Sequence, residues 1–142
     1  MEEIALHVLD IVENSITARA SVIAVRLSCD EENDLLTLEI VDNGKGMDER
    51  TVKSALDPFY TEKQGKRIGL GLPLLAQAAR AGGGKVEIES KPDVGTSIKA
   101  TFRLSHPDRQ PIGNLKETAD VLRASHPEIR FIVESTCADL DE

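Results

Sequence analysis

The chain has 142 residues, a formal net charge of −8 and few aromatic residues: three Phe, one Tyr and no Trp. This length is typical of a single domain, and its core must be largely aliphatic. So acidic a surface argues against broad binding to nucleic acids or anionic membranes, although a local pocket can still hold an anionic ligand. No apolar run is long enough to span a bilayer.

Two sequence features bear on the cellular compartment. The N-terminal MEEIALHV lacks the basic region of a signal peptide. Cys29 and Cys137 match neither a metal-site spacing nor a disulfide framework. We therefore expect reduced thiols and a cytoplasmic location.

The first half of the chain predicts a helix, a hairpin and a glycine loop. A period near 3.6 predicts a helix over residues 2–18. Two β-rich runs, 21–29 and 35–41, flank the polar turn DEEND and predict an antiparallel hairpin. The loop DNGKGM follows at 42–47, and a short helix over 48–56 has Asp48 as its N-cap.

The second half continues with a polar, basic loop over 57–69 and a helix over 70–83 that ends at glycines. The remaining predicted elements are a hairpin of strands 85–90 and 96–104, a linker over 105–111, a helix over 112–125 and a strand over 128–135. Helices and hairpins without regular βαβ alternation predict an α+β fold. We expect a two-layer sandwich with helices on one face of a mixed, mostly antiparallel sheet.

Polar residues interrupt the apolar face of the first predicted helix. Asp10 and Asn14 are four residues apart and share one face, with His7 one turn earlier. The Asn oxygen is a suitable ligand for Mg²⁺, which usually also keeps waters and substrate phosphates. A carboxylate one turn away could orient or deprotonate a water near the metal. The alternative is that Asn14 only makes a capping or tertiary hydrogen bond.

Three further motifs each allow a ligand or a purely structural interpretation. Asp42 ends a strand before a glycine turn and could accept a hydrogen bond from an exocyclic amine, or DNG could be a plain turn. Gly69 and Gly71 open a helix whose free N–H groups suit phosphates, with Lys63, Lys66 and Arg67 upstream; an exposed basic loop is the alternative. Gly95 and Thr96 begin a strand and by themselves indicate only a hairpin.

In this order the motifs resemble the Bergerat-type ATP-binding domain of gyrase, heat-shock chaperones, histidine kinases and mismatch-repair proteins, the GHKL superfamily. LDIVENSITARAS resembles the N box, VDNGKGM the G1 box and DPFYTEK the F-box region that opens the ATP lid. GLGLPL resembles the G2 box and GTSIKATF the last glycine-threonine box. The resemblance covers residues 1–104 and implies the Bergerat fold there. Residues 105–142 would be a helix–strand extension that packs on this domain or forms an interface.

The resemblance implies roles for individual residues. Asn14 would bind Mg²⁺ and bridge it to the phosphates, and Asp42 would read the adenine amino group, supported by Thr96. The base pocket would be lined by Gly44, Gly46 and Met47. Lys63 would approach the phosphates from the lid, and the phosphates would meet backbone amides of Gly69, Leu70, Gly71 and Leu72.

Two departures from the family pattern bear on chemistry. Hydrolytic members and anti-sigma serine kinases carry Glu at position 10 as general base, sensor histidine kinases usually carry Asn, and this chain has Asp10. We expect Asp10 to keep a polar role, as a base with slow or partner-dependent chemistry. Sensor kinases also carry a phosphoaccepting histidine in a preceding helical hairpin. We interpret His7, His106 and His126 as ordinary packing or surface residues instead.

A third departure concerns the sheet edge. Domains related to histidine kinases often have a strand before the N-box helix, and it is missing here. The strand over 128–135 could dock on that edge, which would remove an aggregation hazard.

The resemblance implies a stand-alone signalling protein that binds ATP or ADP with Mg²⁺. We expect a kinase that phosphorylates an unidentified protein partner. An ATPase conformational switch and a catalytically weak nucleotide sensor are the alternatives, and whether the protein is an enzyme stays open. We expect neither a nucleic acid nor a membrane as partner, and a homodimer remains open.

Overall fold

The computed structural model describes residues 3–55 and 71–137, and the fold is α+β as predicted. The predicted loop over 57–69 lies outside the described residues. The helices are α1 (Ile4–Thr17), α2 (Glu49–Ser54), α3 (Gly71–Ala81) and α4 (Leu115–Ser125). The strands are β1 (Val22–Asp30), β2 (Leu35–Asp42), β3 (Val86–Lys91), β4 (Gly95–Arg103) and β5 (Arg130–Ser135).

The five strands form one mixed sheet in the order β3-β4-β2-β1-β5. All neighbours are antiparallel except β1 and β5, which run parallel. Alternate residues of each strand face the helices, because successive side chains of a strand point to opposite faces. The helix-facing rows are apolar and buried, for example Ile23, Leu38 and Phe102 at 0–1% exposed. This face and the apolar side of α1 form the core, with the helices on one side as expected.

The opposite face of the sheet is polar. Arg26 is paired with Glu39 across β1 and β2, and Glu39 with Lys99 across β2 and β4. Opposite charges placed directly across strands stabilise their pairing by roughly 0.2–1 kcal/mol each. The alternation of charged and apolar residues therefore fixes which face receives the helices.

The C-terminal segment is built into this fold. Strand β5 adds Phe131 and Val133 to the helix-facing side of the sheet, next to Ile23 and Val25 of β1. Helix α4 packs against α1 and β5, and Asn114 caps it by accepting from the Glu117 N–H at 2.9 Å. The strand thus lies on the edge next to β1, where the sequence suggested it could dock. The division of the chain at residues 104 and 105 stays a prediction.

The predicted linker over 105–111 is in contact with α1. The first two N–H groups of α1, those of Ile4 and Ala5, donate to the carbonyl oxygens of Pro111 and Ile112 at 2.9 Å each. These groups have no partner within the helix itself, so the segment caps α1. His7 Nε2 and Gln110 Oε1 are hydrogen-bonded at 2.8 Å, and His7 is 2% exposed. His7 therefore packs inside the protein, as we interpreted it.

The prediction of two reduced thiols is wrong: Cys29 and Cys137 form a disulfide across a sequence separation of 108 residues. Parallel pairing of β5 with β1 brings the two Cα atoms to 5.0 Å, within the range that a disulfide spans. Local spacing could not reveal this pair, because the residues meet only once β5 has joined the sheet.

Candidate functional site

The centre of the predicted site is Asp42, the last residue of β2. The residue is only 9% exposed, and both carboxylate oxygens are hydrogen-bonded. Ser15 Oγ donates to Oδ2 at 2.6 Å, and the Gly44 N–H donates to Oδ1 at 2.8 Å. Each carboxylate oxygen has two lone pairs, so the side chain is held in one orientation and can still accept from a ligand.

The turn after Asp42 requires its glycines. A Cβ on Gly44 would lie 2.8 Å from the carbonyl oxygen of Ala18 at the end of α1. Gly46 has φ of +69°, and a Cβ there would overlap the carbonyl oxygen of Lys91. The loop is also tied to both neighbours through Lys45, whose N–H donates to Ala18 at 2.9 Å and whose carbonyl accepts from Asp93 at 2.7 Å. The glycine loop therefore packs closely between the end of α1 and the β3–β4 turn.

Thr96 lies directly across from Asp42 in the pairing of β2 with β4, so both side chains are on the helix-facing side. Its hydroxyl contacts Ser90 Oγ at 2.8 Å. Ser90 Oγ also accepts from the Met47 N–H at 2.8 Å and donates to the Gly95 carbonyl at 2.9 Å. The structure thus brings together Asp42, Thr96, Gly44, Gly46 and Met47, as the sequence predicted for the base pocket.

Asp10, Asn14 and Gly71 define a second side of the site. Asp10 is exposed and Asn14 half-buried, one turn apart on α1. Gly71 is buried against α1, where a Cβ on it would lie 3.1 Å from Cβ of Asp10. Leu72 follows in the same turn of α3 and is also buried. Gly71, predicted to bind phosphate, is therefore adjacent to Asp10, and Asn14 lies one turn further along α1.

Three predicted phosphate-binding residues, Lys63, Gly69 and Leu70, lie outside the described residues.

Three residues that sequence reasoning did not assign hold this site together: Ser15, Asn43 and Ser90. Asn43 Oδ1 accepts from the N–H groups of Ser21 and Val22 at 2.8 and 2.9 Å, which fixes the start of β1 beside the end of β2. The sequence does contain one indication of a role for Ser15. This residue interrupts the buried face of an amphipathic helix, where a polar side chain needs a hydrogen-bond partner. Ser90 gave no such signal, because a serine at a strand end is common.

A cavity of about 960 Å³ lies beside Asp42, within the size range of ligand pockets. Asp42, Ser90 and Thr96 line it on the helix-facing side, and Val41 and Ser97 line it on the opposite face, so it is an open groove around the end of the sheet. Within the described residues, its lining includes neither Asn14 nor Gly71. The cavity therefore belongs to the Asp42 side of the site alone.

Helix α2 begins at the end of the glycine loop. Asp48 Oδ1 accepts from the Thr51 N–H at 2.7 Å, which confirms the predicted N-cap. This hydrogen bond, with a smaller contribution from the Thr51 side chain, holds the pKa of Asp48 below its ordinary value. The cap fixes the point at which the chain leaves the site.

Asn14 and Asp10 fit a Mg²⁺ ion that takes most of its coordinating oxygens from a bound phosphate and from water. Within residues 3–55 and 71–137, no three His, Cys, Asp or Glu side chains converge on a common point. A cage made only of protein groups is therefore not present there. Mg²⁺ commonly takes one or two protein oxygens and completes its shell with water and phosphate, and Asn14 and Asp10 can supply those oxygens.

The comparisons with known proteins agree with this geometry. Residues 2–106 match the family model described as histidine kinase-, DNA gyrase B-, and HSP90-like ATPase. Sensor histidine kinase YxdK of Bacillus subtilis is 36% identical over 52% of this chain, and nitrogen regulation protein NtrY of Azorhizobium caulinodans is 28% identical over 61%. Sporulation kinase C of Bacillus subtilis is 28% identical over 68%.

The matched parts make up 23%, 11% and 22% of the lengths of YxdK, NtrY and sporulation kinase C. The shared region is thus a minor part of each relative.

The two-layer fold places a carboxylate and a glycine loop beside a cavity, with an Asn-bearing helix next to them, an arrangement that suits a nucleotide-binding domain. The chain belongs to the family of histidine kinase-, DNA gyrase B- and HSP90-like ATPases. Membership of this family supports a role in signalling that depends on ATP binding. In the part of the chain that the structure describes, we find no helix with the length and apolar character needed to cross a membrane.

Proposed function

We propose that this protein binds Mg-ATP and transfers its γ-phosphoryl group to a protein partner. The observation that carries the proposal is the Asp42 carboxylate, which is buried, fixed by Ser15 and Gly44, and open to one more donor. A buried acceptor of this kind favours a ligand that brings an N–H, as the exocyclic amine of adenine does. Gly44, Gly46, Met47 and Thr96 would form the rest of the base pocket.

The triphosphate would extend from Asp42 towards α1 and α3. Asn14 would bind Mg²⁺ there, and a bound Mg²⁺ would neutralise phosphate charge. The amides of Gly71 and Leu72 would donate to the phosphates, together with Gly69 and Leu70 and with Lys63 from the lid. The adjacency of Gly71 and Asp10 supports this path, because it joins the predicted phosphate-binding helix to the predicted metal-binding helix.

Asp10 would act as the base. A positioned general base contributes ~10²–10⁴-fold to rate, and Asp is one methylene shorter than the Glu of hydrolytic members. We therefore expect slow turnover until a partner completes the site. Phosphoryl transfer to that partner would need a hydroxyl or imidazole acceptor placed near Asp10.

Two alternatives share the same pocket. An ATPase switch would use hydrolysis to time a conformational change, and a nucleotide sensor would signal through binding alone. In either case a protein partner, or a second copy of this chain, would bind one nucleotide state in preference to the other. The acidic surface argues against a nucleic acid or a membrane as the partner. We retain the cytoplasm as the proposed location, although the Cys29–Cys137 disulfide counts against it because such bonds are rare there.

The first test is binding of ADP by calorimetry, with Asp42→Asn as the variant. We expect the substitution to weaken binding at least about tenfold, since an amide presents one acceptor oxygen where the carboxylate has two. Asp93→Asn is the matched control, because Asp93 has φ of +63°, which Asn tolerates, and lies in the exposed β3–β4 turn. No binding of ADP by the unaltered protein would refute the proposal.

The second test separates the three activities by phosphate release under saturating Mg-ATP. Steady release that is lost in Asn14→Ala and falls at least about tenfold in Asp10→Asn would indicate an ATPase with Asp10 as base. Binding without release favours the kinase or the sensor. Transfer of labelled γ-phosphate to a captured partner then distinguishes these two. Glu13→Gln is the control, since Glu13 is an exposed carboxylate on the same helix.

A further inference from the structure

Ser90 occupies a position next to the predicted base pocket. It lies at the end of β3 and pairs with Thr96 of β4, which in turn pairs with Asp42 of β2. Directly paired residues of antiparallel strands share a face, so the three side chains form one row. Ile23 continues that row on β1 and is fully buried, which places the row on the helix-facing side.

All three contacts of Ser90 can be hydrogen bonds at once in only one arrangement of hydrogens. A serine hydroxyl has one hydrogen to donate and two lone pairs to accept. Ser90 donates its hydrogen to the Gly95 carbonyl at 2.9 Å and accepts from the Met47 N–H at 2.8 Å. Its third contact is the Thr96 hydroxyl at 2.8 Å. Because the Ser90 hydrogen is already used, that contact is a hydrogen bond only if Thr96 is the donor.

We propose that Ser90 is a positioning residue that sets the base specificity of the pocket by holding the hydrogen of the Thr96 hydroxyl. The inference rests on the proposed nucleotide-binding function. With its hydrogen committed to Ser90, Thr96 presents only lone pairs to the cavity. The Asp42 carboxylate beside it also presents only acceptors. Two acceptors side by side favour a purine with an amine at position 6 and disfavour one with a carbonyl oxygen there.

The test compares ADP with IDP, which replaces the amine at position 6 by an oxygen. Dissociation constants of both are measured by calorimetry for the unaltered protein and for Ser90→Ala. Loss of Ser90 frees the Thr96 hydrogen, which can then turn into the cavity and donate to the oxygen of IDP. We expect the preference for ADP over IDP to fall about tenfold, the equivalent of one hydrogen bond. A purely structural role for Ser90 would weaken both ligands equally, and an unchanged ratio would overturn the proposal.

Three further variants complete the test. Ser90→Thr keeps a hydroxyl and should restore the ratio, whereas Ser28→Ala, a serine on the opposite face of β1 and outside the cavity lining, should not change it. In a Thr96→Val background, Ser90→Ala should have no further effect on the ratio. If Ser90→Ala does not fold, Thr96→Val decides: the preference for ADP over IDP must fall, because the substitution removes an acceptor that favours the amine of ADP and disfavours the oxygen of IDP.

The outcomes separate the two hypotheses. Failure of the unaltered protein to bind ADP refutes the nucleotide function and, with it, the role of Ser90. Equal binding of ADP and IDP by the unaltered protein leaves nucleotide binding intact and overturns the role of Ser90.

Discussion

The two ends of the sheet are held by different kinds of interaction. At the site end, where β2 finishes at Asp42, buried or half-buried side chains bind one another through short hydrogen bonds. At the far end, the β1–β2 turn is tied to the end of β4 by exposed groups. Asp34 accepts from the N–H and the hydroxyl of Ser105 at 2.8 and 2.7 Å, and the Cys29–Cys137 disulfide closes the neighbouring edge.

This difference shows which end is arranged for a ligand. The hydrogen bonds at the far end are exposed to solvent, and they hold the loops in place. At the site end, Asp42 keeps acceptor capacity in a buried position, which is costly unless a ligand or water uses it. The following predictions test this contrast, from the largest expected effect to the smallest.

Gly46→Ala should damage the site end most. The substitution adds the strain of a positive φ and an overlap with the Lys91 carbonyl, together costing about 2–5 kcal/mol of unfolding free energy. Urea unfolding and ADP calorimetry measure the two consequences, and we expect ADP binding to be lost. Gly113→Ala is the matched control: φ is +79° there, but the neighbour is the flexible side chain of Glu3. Equal effects of the two variants would contradict the prediction.

Removing the disulfide should affect stability and leave the site intact. A disulfide typically stabilises by about 2–4 kcal/mol, chiefly by restricting the unfolded chain, and this one closes a separation of 108 residues. Urea unfolding of Cys137→Ser should show this loss, and reducing agent should destabilise the unaltered protein by the same amount. ADP affinity should stay within about twofold, because the bond lies at the far end. A larger change in affinity would show that the two ends are coupled.

Ser15→Ala should have a smaller effect, and at the site end only. It removes the donor to Asp42 Oδ2 and leaves a buried carboxylate oxygen short of one partner, at a cost of about 1–3 kcal/mol. We expect urea unfolding to show this loss and calorimetry to show weaker ADP binding. Thr17→Ala is the control, since the Thr17 hydroxyl bonds the Glu13 carbonyl at an exposed position of the same helix. ADP binding that survives Ser15→Ala unchanged would show that Ser15 does not orient Asp42.

The smallest effect concerns acid stability at the far end. The hydrogen bonds from the Ser105 side chain and backbone hold the pKa of Asp34 below its ordinary value. A lowered folded-state pKa stabilises the protein above the unfolded pKa, and this contribution is lost as the pH falls through the folded value. Between pH 5 and roughly pH 2, Asp34→Asn should therefore lose less stability than the unaltered protein. Thermal melts across that range measure it, with Asp120→Asn on the surface of α4 as control; a parallel loss in all three proteins would contradict the assignment.

Much of the fold was predictable because local patterns and burial agree. The 3.6-residue period of α1, the alternation in β2 and β4 and the Asp48 cap each predicted an element within about two residues of its observed bounds. Motif order also predicted the residues of the base pocket; the structure shows that they lie together, and their binding of a base stays a prediction. Ser15, Asn43 and Ser90 were not predictable, because each works through a hydrogen bond to a residue distant in sequence: Asp42, Val22 and Met47.

The sequence by itself determined the helix and strand segments, the two hairpins and the family of the chain, since these depend on periodicity and on short motifs. Only the tertiary structure decided that β5 joins β1, that Cys29 meets Cys137 and that Ser90 contacts Met47 and Thr96. These contacts join residues brought together by the pairing of strands and the docking of a loop. Local propensity carries no information about such partners, because the free energy that selects them comes from packing the whole sheet against its helices.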